Sequence, residues 1–320
     1  MEWYEIIAIV IVVIAVVLLL VFLWVGLAMK KLFHTHANRN PGENPSGFDD
    51  IMGDDYKEAW AMGEIVGGEF VKNIPTQISV KTHEGLILRG EFYKSLNTNA
   101  KQTVICAHGF RSSGIWDFAT LSMFFINNFN VIFINHRGHN ESDGNEICFG
   151  QKSCYDINLW IEKALEITPD CDIILHGVSM GGATLLMASD KINSDKVKFI
   201  VSDCAFSDGG AEMEYMVKYS KYPTFPTTFF CKVWFNWLNK IKMDAQKPIE
   251  CVKNAKVPIL FIHGKNDKFV PFYMGEKLYD ICKNEKDFLW VDGAGHGMSY
   301  FKNKDEYESK YLDFVKRFCN

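Results

Sequence analysis

The stretch Asp172-Ile173-Ile174-Leu175-His176-Gly177-Val178-Ser179-Met180-Gly181-Gly182-Ala183-Thr184-Leu185-Leu186-Met187-Ala188 decides the fold. Its opening, Asp172 to His176, has the β-branched and apolar character of a short buried strand, and the residues from Gly182 onward are helix formers. Between them Gly177-Val178-Ser179-Met180-Gly181 is a G-x-S-x-G sequence, which turns a strand into a helix through a serine. A serine in so tight a turn is expected to hold a strained backbone and to present its hydroxyl above the strand end. Glycines two residues to either side let strand and helix approach without Cβ clashes. The helix beginning there would aim free N–H groups and the positive end of its dipole at negative charge developing beside Ser179.

Outward from this turn the chain alternates. Residues 77–82 and 86–93, separated by His83-Glu84-Gly85, read as an antiparallel hairpin. The short apolar runs 103–107, 131–135, 172–176, 199–202, 259–263 and 288–291 read as buried parallel strands. Helical patterns lie at 115–127, 183–190 and 273–284, and most clearly at Ile157, Trp160, Ile161, Ala164 and Leu165, stopped by Pro169. The fold class predicted is α/β, one mostly parallel sheet with helices on both faces. Residues 206–250 break the rhythm. They are too long for an ordinary connection and carry helix-like segments at 211–221 and 228–242, so they read as an inserted helical lid. The dense lid aromatics, among them Tyr222, Phe225, Phe229, Trp234 and Trp237, are expected to pack the lid onto the domain; an apolar pocket or a bilayer-facing patch is the sharper reading.

A serine nucleophile needs a base, an acid to orient the base, and donors for an oxyanion. Candidates stand at strand ends. Asp267 follows Ile259-Leu260-Phe261-Ile262-His263-Gly264, and His296 follows the last strand within Asp292-Gly293-Ala294-Gly295-His296-Gly297. The order Ser179, Asp267, His296 is the one this elbow calls for. A neutral His296 imidazole would take the Ser179 proton while Asp267 holds the ring and stabilises its charged form. Asp203 and Asp208 are rival acids, placed after a different strand. His108-Gly109-Phe110, after the strand 103–107, has the form of an H-G-x oxyanion segment, which makes the backbone N–H groups of Phe110 and Met180 the expected donors. His108, His176 and His263 read as structural, and Asn135-His136-Arg137-Gly138-His139-Asn140 as a supporting loop.

Together, Cys106-Ala107-His108-Gly109-Phe110, the His-Arg-Gly-His loop with Ser142 and Gly144, Gly177-Val178-Ser179-Met180-Gly181-Gly182, His263-Gly264 with Asp267 and Val270-Pro271, and Gly295-His296 resemble the α/β-hydrolase superfamily. The nearest branch is that of bacterial membrane-anchored serine-aminopeptidase-like and esterase-like hydrolases. The resemblance covers roughly residue 77 to the carboxyl terminus. It implies an eight-stranded sheet and an acyl-enzyme mechanism that needs no cofactor and no metal. The chain departs from the family pattern at Asn140, where many relatives have glycine, and at Asn135, where many have aspartate.

The amino terminus is of another kind. Residues 6–28 carry no charged side chain, and as a helix they would extend about 35 Å, enough to cross a bilayer core. The acidic leader Met1-Glu2-Trp3-Tyr4-Glu5 and the length of the apolar run favour an uncleaved anchor over a signal peptide. Lys30, Lys31 and Arg39 follow the span and no basic residue precedes it, which places the larger domain on the cytoplasmic side. Nine cysteines, scattered and without metal-ligand spacing, agree with reduced, buried thiols in that compartment. The expected organisation is an anchor at 1–31, a linker and leading helix at 32–75 that let the domain stand off the membrane, and a catalytic domain at 76–320. A net charge of −5 with no basic surplus argues against nucleic acid as a partner. The expected activity is hydrolysis of a carboxylic ester or thioester bearing an apolar acyl group. Amide hydrolysis at a free amino terminus would need an acidic amine-binding group that the motifs do not identify. Acyl transfer competes with hydrolysis on the same residues, and a non-catalytic membrane-bound binding protein is the competing reading from a different class.

Overall fold

The computed structural model describes residues 2–37 and 56–319. A long helix α1 (Trp3–Phe33) comes first, followed by α2 (Tyr56–Phe70) and the hairpin β1 (Thr76–Lys81) and β2 (Ile87–Tyr93). Then come β3 (Gln102–Ala107), α3 (Gly114–Asp117), α4 (Ser122–Asn128), β4 (Asn130–Ile134), α5 (Ile157–Ile167), β5 (Asp172–Val178), α6 (Met180–Ala188) and β6 (Val197–Asp203). The segment predicted as a lid holds α7 (Gly209–Tyr219), α8 (Thr224–Asn239) and α9 (Pro248–Cys251). The chain closes with β7 (Ile259–Gly264), α10 (Phe272–Ile281), β8 (Lys286–Val291), α11 (Ser299–Lys302) and α12 (Lys304–Phe318).

The strands form one eight-stranded sheet in the order β1-β2-β4-β3-β5-β6-β7-β8. β1 with β2 and β2 with β4 are antiparallel; every other pair is parallel. Side chains alternate across the central strands, as pleating requires. Ile105, Ile132, Ile173, Leu175 and Ile200 face one core with Trp160 of α5 and the apolar residues of α6. Val104, Val131, Ile174, Phe199 and Val201 face the other, against Phe125 of α4 and Tyr307, Tyr311 and Phe314 of α12. Trp160 is fully buried over β2, where Gly90 leaves it room: a Cβ there would lie 2.7 Å from the Phe133 carbonyl and 3.0 Å from the indole. Truncating Trp160 to alanine would cost about 3–5 kcal/mol.

Two expectations change. The helix predicted at 115–127 is interrupted after Asp117, whose carboxylate is engaged by the Gly109 N–H and the Ser112 hydroxyl, both at 2.5 Å, so the chain turns back toward β3. The first residues of the expected linker, 32–37, are packed on the domain rather than free. α1 continues past the apolar run, and its last turns are part of the domain: Val25, Met29 and Phe33 are buried, and Gly26 meets the Trp234 ring of α8 so closely that a Cβ would lie 2.4 Å from it. Beyond α1, His36 binds the carbonyls of Gly144 and Asn140 at 2.7 Å, and Ala37 pairs with His139. The apolar packing outweighs any freedom a linker would supply here. The remainder of that expected linker, 38–55, lies outside the described residues.

Candidate active site

Ser179 sits between β5 and α6 with φ 54° and ψ −119°, a left-handed conformation that a side chain with a Cβ adopts only under constraint. The constraint is visible in its flanking glycines. A Cβ on Gly181 would lie 1.9 Å from the Ala107 carbonyl oxygen, and one on Gly177 would lie 2.4 Å from Gly181. Ser179 N–H donates to the Asp203 carbonyl at 2.8 Å, which ties the turn to β6. The side chain is nearly covered, 7% exposed.

His296 and Asp267 arrive from the ends of β8 and β7. The Ser179 hydroxyl donates to His296 Nε2 at 2.9 Å, and His296 Nδ1 donates to Asp267 Oδ2 at 2.7 Å. Asp267 is held on every side: Oδ1 accepts the N–H groups of Phe269 and Val270 at 2.9 and 2.8 Å, and Oδ2 also faces His263 Nε2 at 3.3 Å. Burial by itself would raise this carboxyl. The charges and hydrogen bonds of His296 and His263 outweigh that and hold it at about 2. His263, although buried, is raised for the reciprocal reason, the Asp267 carboxylate, and its Nε2–H also reaches the Val270 carbonyl at 2.9 Å. The Phe269 ring lies 4.9 Å from the His296 ring and shields it.

The rival acids have other duties. Asp203 accepts the Tyr307 hydroxyl at 3.0 Å, and its pKa is raised to about 6 by burial. Asp208 caps α7, accepting from Gly210 and Ala211 N–H, and pairs with Lys247. His176 is caged by Phe118, Phe125 and Tyr311 and is pushed down to about 3 by burial. Cys204 lies 4.0 Å from His296 Nε2, so Cys204, Asp267 and His296 form a compact set of potential metal donors. Both His296 nitrogens are already committed to Asp267 and Ser179, and burial pushes the Cys204 thiol well up, so the hydrogen-bonded chain accounts for their approach.

Phe110 lies where β3 runs out beside the serine: a Cβ on Gly109 would stand 3.3 Å from Ser179 Cβ. Met180 is the first residue of α6, and the leading N–H groups of a helix have no intrahelical acceptor. The loop that carries Phe110 is braced by side chains. His136 N–H donates to His108 Nε2 at 3.2 Å, Arg111 N–H donates to His139 Nε2 at 3.1 Å, and Arg137 grips Asp156 through two nitrogens at 2.6 and 2.9 Å. Burial holds His136 and His139 well below the usual histidine range, and a neutral His139 ring can accept the Arg111 N–H. The two residues that depart from the family pattern meet each other: Asn140, at φ 47°, donates to Asn135 Oδ1 and to the Ser112 carbonyl, both at 3.0 Å.

Four participants carried no sequence signal. Asp117 anchors Gly109 N–H. Arg111 Nη1 reaches the carbonyls of Lys31, Leu32 and Thr35 at the end of α1. Phe33 of α1 packs 5.3 Å from the Phe110 ring and 5.4 Å from Phe235 of α8. Glu212 of α7 is 3% exposed with neither carboxyl oxygen hydrogen-bonded, and burial, followed by the nearby Asp267 charge, raises it well above the usual carboxylate range.

An eight-stranded sheet of this order, with a serine at the strained turn after its central strand, defines an α/β hydrolase. Residues 116–320 match the model of the prolyl oligopeptidase family, and the chain belongs to that family. It is 25% identical over 255 residues to the Bacillus subtilis (strain 168) protein YqkD, covering 79% of this chain and 83% of that one. The human α/β hydrolase domain-containing protein 17B is 26% identical over 232 residues, 69% of this chain and 67% of that one. Among solved structures, the Pyrococcus furiosus esterase Pf2001 superposes with a TM-score of 0.64 at 17% identity over 90% of this chain and 100% of its own. An acylaminoacyl peptidase of Pyrococcus horikoshii gives 0.58 at 18% identity over 79% of this chain and 43% of its own. These likenesses carry the fold, shared by enzymes that act on esters and on amides.

Proposed function

We propose that the chain is a membrane-tethered serine hydrolase that cleaves carboxylic esters or thioesters with an apolar acyl group. The observation that carries this reading is the continuous hydrogen-bonded path from Ser179 through His296 to Asp267. Ser179 Oγ attacks the carbonyl carbon as His296 Nε2 takes its proton; the backbone N–H groups of Phe110 and Met180 receive the oxyanion, each worth about 3 kcal/mol of barrier. His296 returns the proton to the leaving alcohol or thiol. Water, deprotonated by the same nitrogen, then frees the acid from Ser179. Asp267, held ionised, keeps Nδ1 protonated and stabilises the imidazolium. The aromatic cluster of Phe33, Phe110 and Phe149, which contains the proposed oxyanion residue, supports an apolar acyl chain. α1 is one helix long and apolar enough to cross a membrane, and the lysines in its last turn favour a cytoplasmic domain.

Amide hydrolysis beside a free amine is the second reading, favoured by Glu212. Tyr215 donates to the Lys268 carbonyl at 3.0 Å, which pins one face of α7 over the loop carrying Asp267; Glu212, one turn earlier, is on that face. A buried carboxyl without a partner would welcome an ammonium. Alanyl and propionyl p-nitrophenyl esters differ only by that amine. Faster turnover of the propionyl and longer-chain esters, abolished in Ser179→Ala, supports the primary reading. A preference for the alanyl ester that disappears in Glu212→Gln replaces it with the second.

A further inference from the structure

A surface helix normally shows water a polar face, and α8 does not. Cys231, Phe235 and Leu238 are buried against the domain, yet the opposite side presents Phe229, Val233 and Trp237 at 57%, 38% and 69% exposure, four residues apart, with Phe225 at 80% at the start of the helix. Exposed lysines bracket this apolar stripe, Lys221 before it and Lys240 after it.

The stripe continues onto α1. Tyr222 packs 5.4 Å from Trp24, and the exposed side of α1 nearby carries Leu23 and Leu27. The junction is specific: Trp234 donates its indole N–H to the Phe22 carbonyl at 2.9 Å, and the Phe22 ring lies between Phe230 and Trp234 at 5.2 and 5.0 Å. Its height is informative. The charge-free run of α1 begins at Ile6, after Glu5, and at the rise of an α-helix residues 6–25 cover about 30 Å, the thickness of a bilayer hydrocarbon core. Contact with α8, at Phe22, therefore falls in the last turn of such a span, at the level of the upper acyl chains.

We propose that α8 lies in the plane of the same leaflet that α1 leaves, with Phe225, Phe229, Val233 and Trp237 among the upper acyl chains and Lys221 and Lys240 among the headgroups. The occupant of this face is lipid. Beneath α8, Phe235 touches Phe33 of α1, which touches Phe110, so this line of contacts runs from α8 through the last turn of α1 to the proposed oxyanion loop. The substrate class that follows is a membrane-resident amphiphile that reaches Ser179 from the bilayer. This rests on the membrane-tethered reading of the previous section.

The full-length protein is reconstituted into phosphatidylcholine–phosphatidylglycerol vesicles with an environment-sensitive fluorophore on one added cysteine, at Val13→Cys, Trp237→Cys or Leu312→Cys, each corrected for wild-type labelling. Doxyl-labelled lipid should quench positions 13 and 237 and spare 312. Quenching at 13 alone overturns the docking of α8 and leaves the tether standing; no quenching at 13 overturns the tether and the docking together. Shielding of 237 from aqueous quencher in lipid-free detergent, with a doubling of mass, assigns the stripe to a second copy and also overturns the proposal. For activity, a Phe229→Glu/Trp237→Glu variant should lose about tenfold or more on a long-chain ester held in vesicles while keeping its rate on soluble p-nitrophenyl butyrate. Equal loss on both esters overturns delivery from the bilayer. A wild type that hydrolyses no ester removes that delivery claim, and the quenching result still decides the docking.

Discussion

Arg111 donates from Nη1 to the Thr35 carbonyl at 3.1 Å and so closes the carboxyl end of α1 from within the loop that bears Phe110. The same nitrogen reaches Lys31 and Leu32, carbonyls that a helix end leaves without partners. A cation there also meets the negative end of the helix dipole. Arg111→Ala should cost about 1–2 kcal/mol, or roughly 2–6 °C in Tm, and should lower kcat on a soluble ester more than it raises KM, because the loop it steadies is occupied in the transition state. Thermal melts with steady-state kinetics check this; an unchanged kcat at reduced Tm would confine Arg111 to the helix end.

Asp267 and Asp203 should separate cleanly. Asp267→Asn is expected to lower kcat by about 10⁴, since the wrong His296 tautomer then faces Ser179. Asp203→Asn, which keeps an acceptor for Tyr307, should stay within about tenfold of wild type. Single-turnover rates on a p-nitrophenyl ester decide it, and the opposite ranking would make Asp203 the acid.

Glu212 makes stability depend on pH. Its folded pKa is raised, so the native state holds a proton that the unfolded chain has already released. Stability is therefore fullest below the ordinary glutamate pKa of about 4.3 and declines as pH rises until the folded value is passed, with a slope of at most about 1.4 kcal/mol per unit. Denaturant midpoints from pH 4 to pH 8 should show this decline, and Glu212→Gln should flatten it. A profile identical in the two proteins would rule out the effect.

The pair Asn135 and Asn140 should behave as one unit. Asn140→Ala loses two hydrogen bonds and puts alanine in a left-handed conformation, at a cost of about 1–3 kcal/mol. With Asn135→Ala the losses should overlap by about 0.5 kcal/mol or more, which a double-mutant cycle in urea measures. Full additivity would mean that the pair makes no effective contact.

What the sequence discloses follows a physical pattern. The elbow is legible because its strain leaves a local signature, glycines at 177 and 181 where any Cβ would strike Ala107 or the turn itself. Strand-end positions of Asp267 and His296 are legible because buried parallel strands are plain apolar runs that end abruptly. Strand borders shift by a residue or two since hydrogen bonding continues into polar flanks, as at Lys286 and Asp287 of β8. Arg111, Asp117, Phe33 and Glu212 were not legible. Their roles exist only through segments distant in the chain, and an arginine, a phenylalanine or a glutamate on a helix is ordinary until its neighbour is known. The lid aromatics divide for the same reason: Phe235 turns inward and Trp237 outward, a distinction of helical phase that needs the partner surface to be seen.

α1 is a single helix from Trp3 to Phe33, gripped at its far end by Arg111, Phe110 and α8. A mast stepped in this way does not swivel. If its apolar length is seated in a bilayer as proposed, the mouth of the site keeps one height and one facing above that membrane, and an ester carried by a neighbouring vesicle has no such fixed approach to it. The chemistry proposed for Ser179 would then work in cis, on molecules sharing the sheet of lipid in which the enzyme stands, and its rate would follow their density in that sheet rather than their total concentration.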